Sequence, residues 1–168
     1  MLKTNLNYRV TTINDLEQVM ALGLLAYGQH RGALSEAHWQ KMAVNFTQDH
    51  VFTSLLESSF GFVCETGHQI IGMAFLVPSG NPTPIFQNDW SYIRMVAVNP
   101  TYGGQGIARQ LTNMCIEMAR QTNESIVALH TSEFMDTARH LYESMGFKKL
   151  REIEPIFGKR YWVYTIEL

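Results

Sequence analysis

A glycine-rich loop in the middle of the chain carries the most informative chemistry. Gly103, Gly104 and Gly106 fall within four consecutive residues, after a Val-rich stretch and before an amphipathic segment. Glycine accepts positive φ and lets a ligand approach the backbone closely. Unpaired amide N–H groups at the start of a helix, together with the helix dipole, attract anions. The loop therefore predicts a pyrophosphate cradle made from the main chain; the alternative is a turn that only reverses the chain.

Two well-known phosphate-binding loops do not match this segment. The Walker pattern ends in Gly-Lys followed by Ser or Thr, and the loop contains no lysine. A Rossmann pattern that began at Gly104 would need a glycine where Arg109 stands. Both of these nucleotide-binding loops are therefore excluded.

Two segments together resemble signatures of the GNAT superfamily of N-acetyltransferases. Gly106-Ile-Ala108, behind the strand-like stretch MVAVNP at 95–100, is similar to the family's acetyl-CoA-binding pattern Q/R-x-x-G-x-G/A. Gly103 stands where that pattern carries Arg or Gln. The stretch ARHLYESMGF at 138–147 is similar to the family's A-x-x-L-Y-E-x-x-G-F helix. Met135 replaces an asparagine that often precedes that helix.

The resemblance implies a fold, a reaction and a cosubstrate. The fold would be α+β, with a central mixed, mostly antiparallel sheet of about seven strands and about four flanking helices, splayed in the middle to admit acetyl-CoA. The reaction would transfer the acetyl group of acetyl-CoA to a primary amine without a metal, and a backbone N–H near Val96 would stabilise the oxyanion. The residues implied for coenzyme binding are Val96, Ala97, Val98, Gly103, Gly104, Gln105, Gly106, Ile107, Ala108 and Tyr142.

Tyr142 is the residue that the resemblance implies as the general acid. A phenol close to the sulfur can protonate the coenzyme A thiolate as it leaves. By periodicity alone, a tyrosine four residues after Ala138 on an apolar helical face would be a core residue. The match to the L-Y-E-x-x-G-F pattern favours the catalytic role.

The general base stays open in the sequence. Tyr92, two residues before Arg94, stands where many members of the family carry a glutamate. A chain of water molecules could take the proton instead. The substitutes by residue type alone are Glu133, His130, His30 and Asp89.

Three segments are expected to bind the acceptor amine: residues 27–32, 78–89 and 154–159. Their aromatic side chains and scarcity of acids favour a partly apolar small-molecule amine over a polyamine. Residues 78–89 should also narrow the cleft against a peptide. The aromatic residues concerned are Tyr27, Phe86, Trp90 and Phe157, and the candidate acceptor-binding residues are Tyr27, His30, Tyr92 and His130.

Two rival functions remain open at this level. One is acetylation of a protein N-terminus or lysine. The other is a catalytically silent domain that senses acyl-CoA, which the glycine at position 103 and the absence of a glutamate at position 92 favour. Retention of Tyr142 argues against the sensor, because binding alone needs no proton donor beside the sulfur.

The elements that must position these residues follow the order βααβββαβαββ. Residues 60–65 and 69–77 should pair as a hairpin around the turn at 66–68. Ser35 should cap the second helix. Gly146 should end the last helix in a left-handed conformation, with Phe147 making the accompanying apolar contact. Hairpins mixed with crossover helices imply a mixed sheet with helices on both sides.

Composition sets the remaining limits. A chain of 168 residues favours one domain over 1–168, and thirteen Lys+Arg against fifteen Asp+Glu offer no basic stripe for nucleic acid. Cys64 and Cys115 lack metal-ligand spacing.

The first ten residues lack the apolar core of a signal peptide, and the apolar runs are too short for a bilayer, so we expect a cytoplasmic protein without a membrane partner. The aromatic last strand is compatible with a homodimer.

Overall fold

The structure, a computed structural model, describes residues 4–168. Residues 1–3, part of the N-terminal stretch tested for a signal peptide, lie outside the described residues. The strands and helices are β1 (Asn7–Val10), α1 (Leu16–Gly28), α2 (Glu36–Thr47), α3 (Asp49–Ser58), β2 (Phe60–Thr66), β3 (Gln69–Val77), β4 (Ser91–Val98), α4 (Ile107–Gln121), β5 (Ile126–Ser132), α5 (Asp136–Ser144), β6 (Lys148–Ile156) and β7 (Lys159–Glu167).

The strands form one mixed sheet in the order β1-β2-β3-β4-β5-β7-β6. Every neighbouring pair is antiparallel except β4 and β5, which run parallel. The α+β fold with a mostly antiparallel seven-stranded sheet is therefore confirmed. The parallel pair lies at the centre, where the chain crosses from β4 to β5 through α4.

Helices cover both faces of the sheet, as the element order predicts. On one face α1, α2 and α3 pack through a buried apolar cluster that includes Val19, Trp39 and Phe52. On the other face α4 and α5 pack through a second cluster that includes Leu111 and Tyr142. Apolar burial on both faces supplies the main stabilisation and holds the central strands in place.

The structure has one helix that the predicted element order lacks, α3. Phe52 and Leu55 give this segment the spacing of an apolar helical face, and both are buried. Only Gln48 separates α3 from α2. With no glycine or proline between them, the two helices offer no boundary signal for the second one.

Several local predictions are confirmed. The Ser35 hydroxyl accepts a hydrogen bond from the His38 amide at 3.1 Å and so caps α2. Gly67, with φ +60°, turns the β2–β3 hairpin. Gly146, with φ +99°, ends α5.

The last strand has no free edge through which a second copy could pair, and the homodimer itself stays a prediction. β7 lies between β5 and β6, so both of its edges are already paired. Its aromatic rings are buried as well, with Trp162 only 8% exposed and Tyr164 fully buried. Separately, the helices described here are all too short or too polar to cross a bilayer.

Candidate active site

The central feature of the site is a gap between β4 and β5. In the described chain these strands pair only at Ser91 with Val127 and at Tyr92 with Ala128. Beyond Tyr92, β4 keeps its ladder with β3 while β5 keeps its ladder with β7, so the facing edges diverge. A cleft of about 870 Å³ opens there, within the usual size range of ligand sites. It opens at the carboxyl ends of the two parallel strands, where ligands of such sheets usually bind.

A β-bulge changes the direction of β4 at the mouth of this gap. Phe75 pairs with Arg94 and Met73 pairs with Ala97, so two residues of β4, Met95 and Val96, stand opposite one residue of β3. Met95 has φ +56°, an uncommon conformation for a residue other than glycine. The bulge leaves main-chain groups beside the cleft without a strand partner, which makes them available to a ligand.

Tyr27 joins α1 to the bulged part of β4. Its hydroxyl donates a long hydrogen bond of 3.4 Å to the Val96 carbonyl. Burial raises the pKa of Tyr27 to about 12, with Arg94 acting in the opposite direction, so the phenol is protonated at neutral pH. Tyr27 lines the cleft, as the sequence analysis predicted.

The glycine loop forms the far end of the cleft. The buried Asn99 side chain accepts from the Thr101 amide at 3.0 Å and begins a short turn. Gly104 and Gly106 both have φ +76°, whereas Gly103 has φ −61°. Positive φ thus explains why glycine stands at positions 104 and 106, but it does not explain the glycine at position 103.

The start of α4 presents free amide groups to this end of the cleft. The first helical bond runs from the Gln110 amide to the Gly106 carbonyl at 3.0 Å. The amides of Ile107, Ala108 and Arg109 therefore have no acceptor within the helix. These amides and the positive end of the helix dipole can hold a phosphate, as the sequence predicts.

Tyr142 also lines the cleft, near the end of α5. The Phe147 amide donates to the Tyr142 carbonyl at 3.0 Å and the Gly146 amide donates to Glu143 at 3.1 Å, which together form a Schellman motif. Tyr142 is only 6% exposed, and its hydroxyl has no hydrogen-bond partner among residues 4–168. Burial raises the pKa of this phenol above its usual range, so it keeps its proton at neutral pH.

Two histidines from the predicted set line the cleft. Burial, together with the charge of Arg94, lowers the pKa of His130 to about 4. Its Nδ1 atom is buried without a hydrogen-bond partner in the described structure. Burial also lowers the pKa of His30, which meets Phe134 edge-on at a centroid distance of 5.3 Å. Both histidines are neutral at neutral pH, and His130 is a weak base.

Most of the residues predicted to bind the coenzyme or the acceptor line one cleft, and two of them, Gln105 and Tyr92, do not. Gln105 is exposed at the tip of the glycine loop. Tyr92 stacks on Phe86, and its hydroxyl donates to the Asn81 carbonyl at 3.1 Å. The predicted residues that line the cleft are Tyr27, His30, Val96, Ala97, Val98, Gly103, Gly104, Gly106, Ile107, Ala108, His130 and Tyr142.

Two of the four substitute bases lie away from the cleft. Asp89 is exposed, and Glu133 is exposed with its carboxylate accepting from the Arg160 amide at 3.0 Å. Neither residue is on the cleft wall. Of the substitutes considered, only His30 and His130 stand where an acceptor amine could reach them.

The expected role of residues 78–89 is wrong. None of these residues lines the cleft, so the segment does not narrow it. Phe86 and Trp90 are 3% and 5% exposed, so they belong to the core rather than to a binding loop. Phe86 packs on Tyr92, a contact from another element that composition does not reveal. From residues 154–159, Ile156 and Phe157 do reach the cleft.

Two arginines that sequence reasoning missed also line the cleft. Arg109, in the first turn of α4, donates to the Ser144 hydroxyl at 2.7 Å. Arg94, the residue before the bulge, is half-buried and also lines a second cavity of about 330 Å³. The available signal for Arg94 was a lone charge within the apolar strand sequence YIRMVAV.

Comparison with known proteins places these features in a family. Residues 26–147 match the model described as the Acetyltransferase (GNAT) family. Over 108 residues the chain is 34% identical to N-acetyltransferase 8F1 of Mus musculus, which covers 64% of the chain and 48% of that protein. Over 88 residues it is 32% identical to N-acetyltransferase 8B of Homo sapiens, covering 52% of the chain and 38% of that protein. The chain spans less than half the length of these curated relatives.

Solved structures share the fold over nearly the whole chain. The PaiA N-acetyltransferase from Thermoplasma acidophilum, in complex with coenzyme A, has a TM-score of 0.79 at 12% identity and covers 98% of this chain and 99% of its own. The ribosomal-protein-S18-alanine N-acetyltransferase from Escherichia coli has a TM-score of 0.71 at 16% identity, covering 97% and 94%. At these identities the likeness concerns the fold.

Proposed function

The chain belongs to the acetyltransferase (GNAT) family, and on that premise we propose that it transfers the acetyl group of acetyl-CoA to a primary amine of a small molecule. One observation carries the proposal. The gap between β4 and β5 places an unpaired strand edge, a glycine loop at a helix start and the buried phenol of Tyr142 around a single cleft.

Each part of acetyl-CoA has a matching surface in this cleft. The free amides of Ile107, Ala108 and Arg109 suit the pyrophosphate. The peptide-like pantetheine arm can hydrogen-bond along the open edge of β4 at residues 96–98, as an added strand would. The coenzyme A complex of the PaiA enzyme, which has the same fold, supports this assignment.

The reaction proceeds by direct attack. The amine nitrogen forms a C–N bond to the thioester carbonyl carbon, and the carbonyl oxygen becomes an oxyanion that accepts a hydrogen bond from the Val96 amide. The C–S bond then breaks, and the leaving sulfur takes a proton from the Tyr142 hydroxyl. Tyr142 recovers a proton from the attacking nitrogen, directly or through water. The products are the N-acetylated amine and coenzyme A with a free thiol.

In this scheme the acceptor enters the cleft as the free amine, after its ammonium form has lost a proton to buffer in the bulk solution. His130 is a poor acceptor for that proton, because its pKa of about 4 lies far below that of an alkyl ammonium. Burial lowers the pKa of His30 as well. Both histidines instead offer neutral ring nitrogens for hydrogen bonds in the cleft. We expect the rate to follow the fraction of free amine.

The rival functions differ in what the cleft must contain. A silent acyl-CoA sensor gives no reason for an unpartnered phenol on the cleft wall beside the bulged strand. A protein N-terminus or lysine as acceptor is no longer disfavoured by residues 78–89, since these do not narrow the cleft. Peptide acceptors are therefore part of the test. A cytoplasmic location and a homodimer remain predictions from the sequence.

The proposal is tested by thiol release from acetyl-CoA over a panel of amines, amino acids and peptides, alongside thermal unfolding with and without coenzyme A. Cys64 and Cys115 are fully buried, and burial raises the pKa of both thiols, so the native protein adds little thiol background. We expect stabilisation by coenzyme A and amine-dependent thiol release. Stabilisation without turnover on any acceptor would support the sensor, and no stabilisation would contradict both functions.

A further inference from the structure

We propose that the acceptor amine carries a carboxylate, and that the Arg94 guanidinium binds it. This inference rests on the proposed acetyltransferase function and names the class of its second substrate. Arg94 would then be a specificity-determining residue that contacts the acceptor, outside the coenzyme site.

The position of Arg94 along β4 places it on the acceptor side of the cleft. Arg94 precedes the bulge at Met95, whereas the glycine loop follows the other end of the strand. Arg94 and Val98 are four steps apart along the strand, which corresponds to about 13 Å at the usual rise per residue. The glycine loop and the free amides proposed for the phosphate follow Val98 in the chain, beyond that end of the strand. The proposed oxyanion donor, Val96, is only two residues from Arg94.

Arg94 lacks the partners that the other arginines have. Within residues 4–168, each of the seven other arginine side chains has an ion pair or a hydrogen bond, and the Arg94 guanidinium has neither. A half-buried charge without a partner is costly, and an incoming carboxylate would remove that cost. A guanidinium is also the side chain best shaped for bidentate carboxylate binding.

The walls around Arg94 carry no competing acid. Among the described residues, the one acidic residue that lines the cleft is Asp136, and its carboxylate is paired with Arg139. The second cavity, which Arg94 also lines, has a serine- and asparagine-rich wall, and residues 4–168 contribute no Asp or Glu to it. The positive charge of Arg94 reaches its neighbours, since it contributes to the low pKa of His130. The acceptor end of the cleft therefore has a positive potential that favours an anion and repels a polyamine.

The aromatic part of the cleft suits the rest of such an acceptor. Tyr27, Phe134, Phe157 and Tyr161 line the same cavity as Arg94. Rings of this kind bury an apolar substituent, while the guanidinium fixes the carboxylate end. A primary amine with a carboxylate and an apolar side group satisfies both surfaces.

The test compares three acceptors that differ only at the carboxylate: phenylalanine, phenylalanine amide and 2-phenylethylamine. The wild type should show kcat/KM for phenylalanine, per concentration of free amine, about 10- to 100-fold above that of either compound without a carboxylate, as expected for a charge-assisted hydrogen-bonded pair. Arg94→Gln should reduce this preference to within about threefold of unity, and Arg94→Lys should leave an intermediate value. The control Arg151→Gln removes an exposed arginine that is absent from the walls of both cavities, and it should keep the wild-type preference.

Binding gives a second readout that needs no turnover. In protein saturated with coenzyme A, phenylalanine should bind more tightly than its amide to the wild type, and equally to Arg94→Gln. Three results would overturn the carboxylate proposal while leaving the acetyltransferase intact. They are equal binding of phenylalanine and its amide to the wild type, a preference for amines without a carboxylate, and turnover confined to peptides. No stabilisation by coenzyme A would instead contradict the acetyltransferase itself. Thermal unfolding of both Arg94 variants shows whether they are folded.

Discussion

The Phe147 amide donates a hydrogen bond of 3.0 Å to the Tyr142 carbonyl, and the two rings meet edge-on with their centroids 5.8 Å apart. These two contacts hold the proposed general acid against Phe147, which follows the helix end at Gly146. Gly146 makes the arrangement possible, because φ there is +99°. The position of the phenol in the cleft therefore depends on a helix end that can be altered without touching the phenol.

Gly146→Ala tests this dependence. Alanine adopts the left-handed conformation at a cost, so the substitution should lower the free energy of unfolding by about 1–2 kcal/mol. Turnover should fall more than the affinity for acetyl-CoA, because the end of α5 and Tyr142 shift together. Gly67→Ala is the matched control, since Gly67 also has positive φ but lies in the β2–β3 turn. Denaturant unfolding should show that both variants are less stable than the wild type. Steady-state kinetics should show lost turnover in Gly146→Ala alone, and equal losses in both variants would show that the end of α5 does not position Tyr142.

The glycine loop gives a prediction that distinguishes two of its glycines, Gly103 and Gly106. Gly106→Ala should weaken acetyl-CoA binding and destabilise the protein by about 1 kcal/mol, because φ is +76° there. A Cβ at Gly106 would touch no protein atom within 4 Å, so the cause is backbone conformation and the space left for the ligand. Gly103→Ala should change both quantities little, because φ is −61°. Calorimetric titration with coenzyme A measures the difference, and a Gly103→Ala defect as large as that of Gly106→Ala would refute it.

Gly103→Arg should strengthen coenzyme binding. Position 103 is exposed, and a Cβ there would meet only the Pro100 carbonyl oxygen, at 3.4 Å. An arginine can therefore be accommodated and can reach the phosphates of the coenzyme. We expect the Kd for coenzyme A to fall about two- to fivefold, as for an exposed ion pair. The gain should shrink as salt rises, and a gain that does not depend on salt, or a weaker affinity, would count against a phosphate contact.

His130 predicts how stability depends on pH. Its pKa is about 4 in the folded protein and about 6.5 in an unfolded chain. Between these values the unfolded chain binds more protons, so stability should fall as the pH drops from 6.5 to 4, by at most about 1.4 kcal/mol per pH unit. His130→Asn should make this part of the profile shallower in denaturant unfolding. The exposed His68→Asn should follow the wild type, and an unchanged profile in His130→Asn would show that His130 does not contribute.

The sequence was informative wherever a local pattern decides the structure. The turn at Gly67, the cap at Ser35 and the end of α5 at Gly146 each depend on residues a few positions apart, and each was predicted. The glycine loop and Tyr142 also carry local signatures. These patterns picked out the residues proposed for the coenzyme, and all of them except Gln105 line the same cleft as Tyr142.

Features that depend on distant contacts escaped prediction. Nothing in the local sequence marks Met95 for positive φ, since the bulge arises from how β4 pairs with β3. Phe86 was expected in a binding loop, yet it is buried because it stacks on Tyr92. Arg94 was passed over because its significance is the absence of a partner in the described structure, which only tertiary geometry reveals.

The most direct test of the proposed chemistry is Tyr142→Phe, assayed with an amine that the wild type acetylates. The phenylalanine ring keeps the edge-on contact with Phe147 and removes only the hydroxyl. We predict a folded protein that binds acetyl-CoA within about twofold of the wild type and loses about 10²-fold or more in turnover, as expected for loss of general acid catalysis. Turnover within about threefold of the wild type would remove Tyr142 from the mechanism.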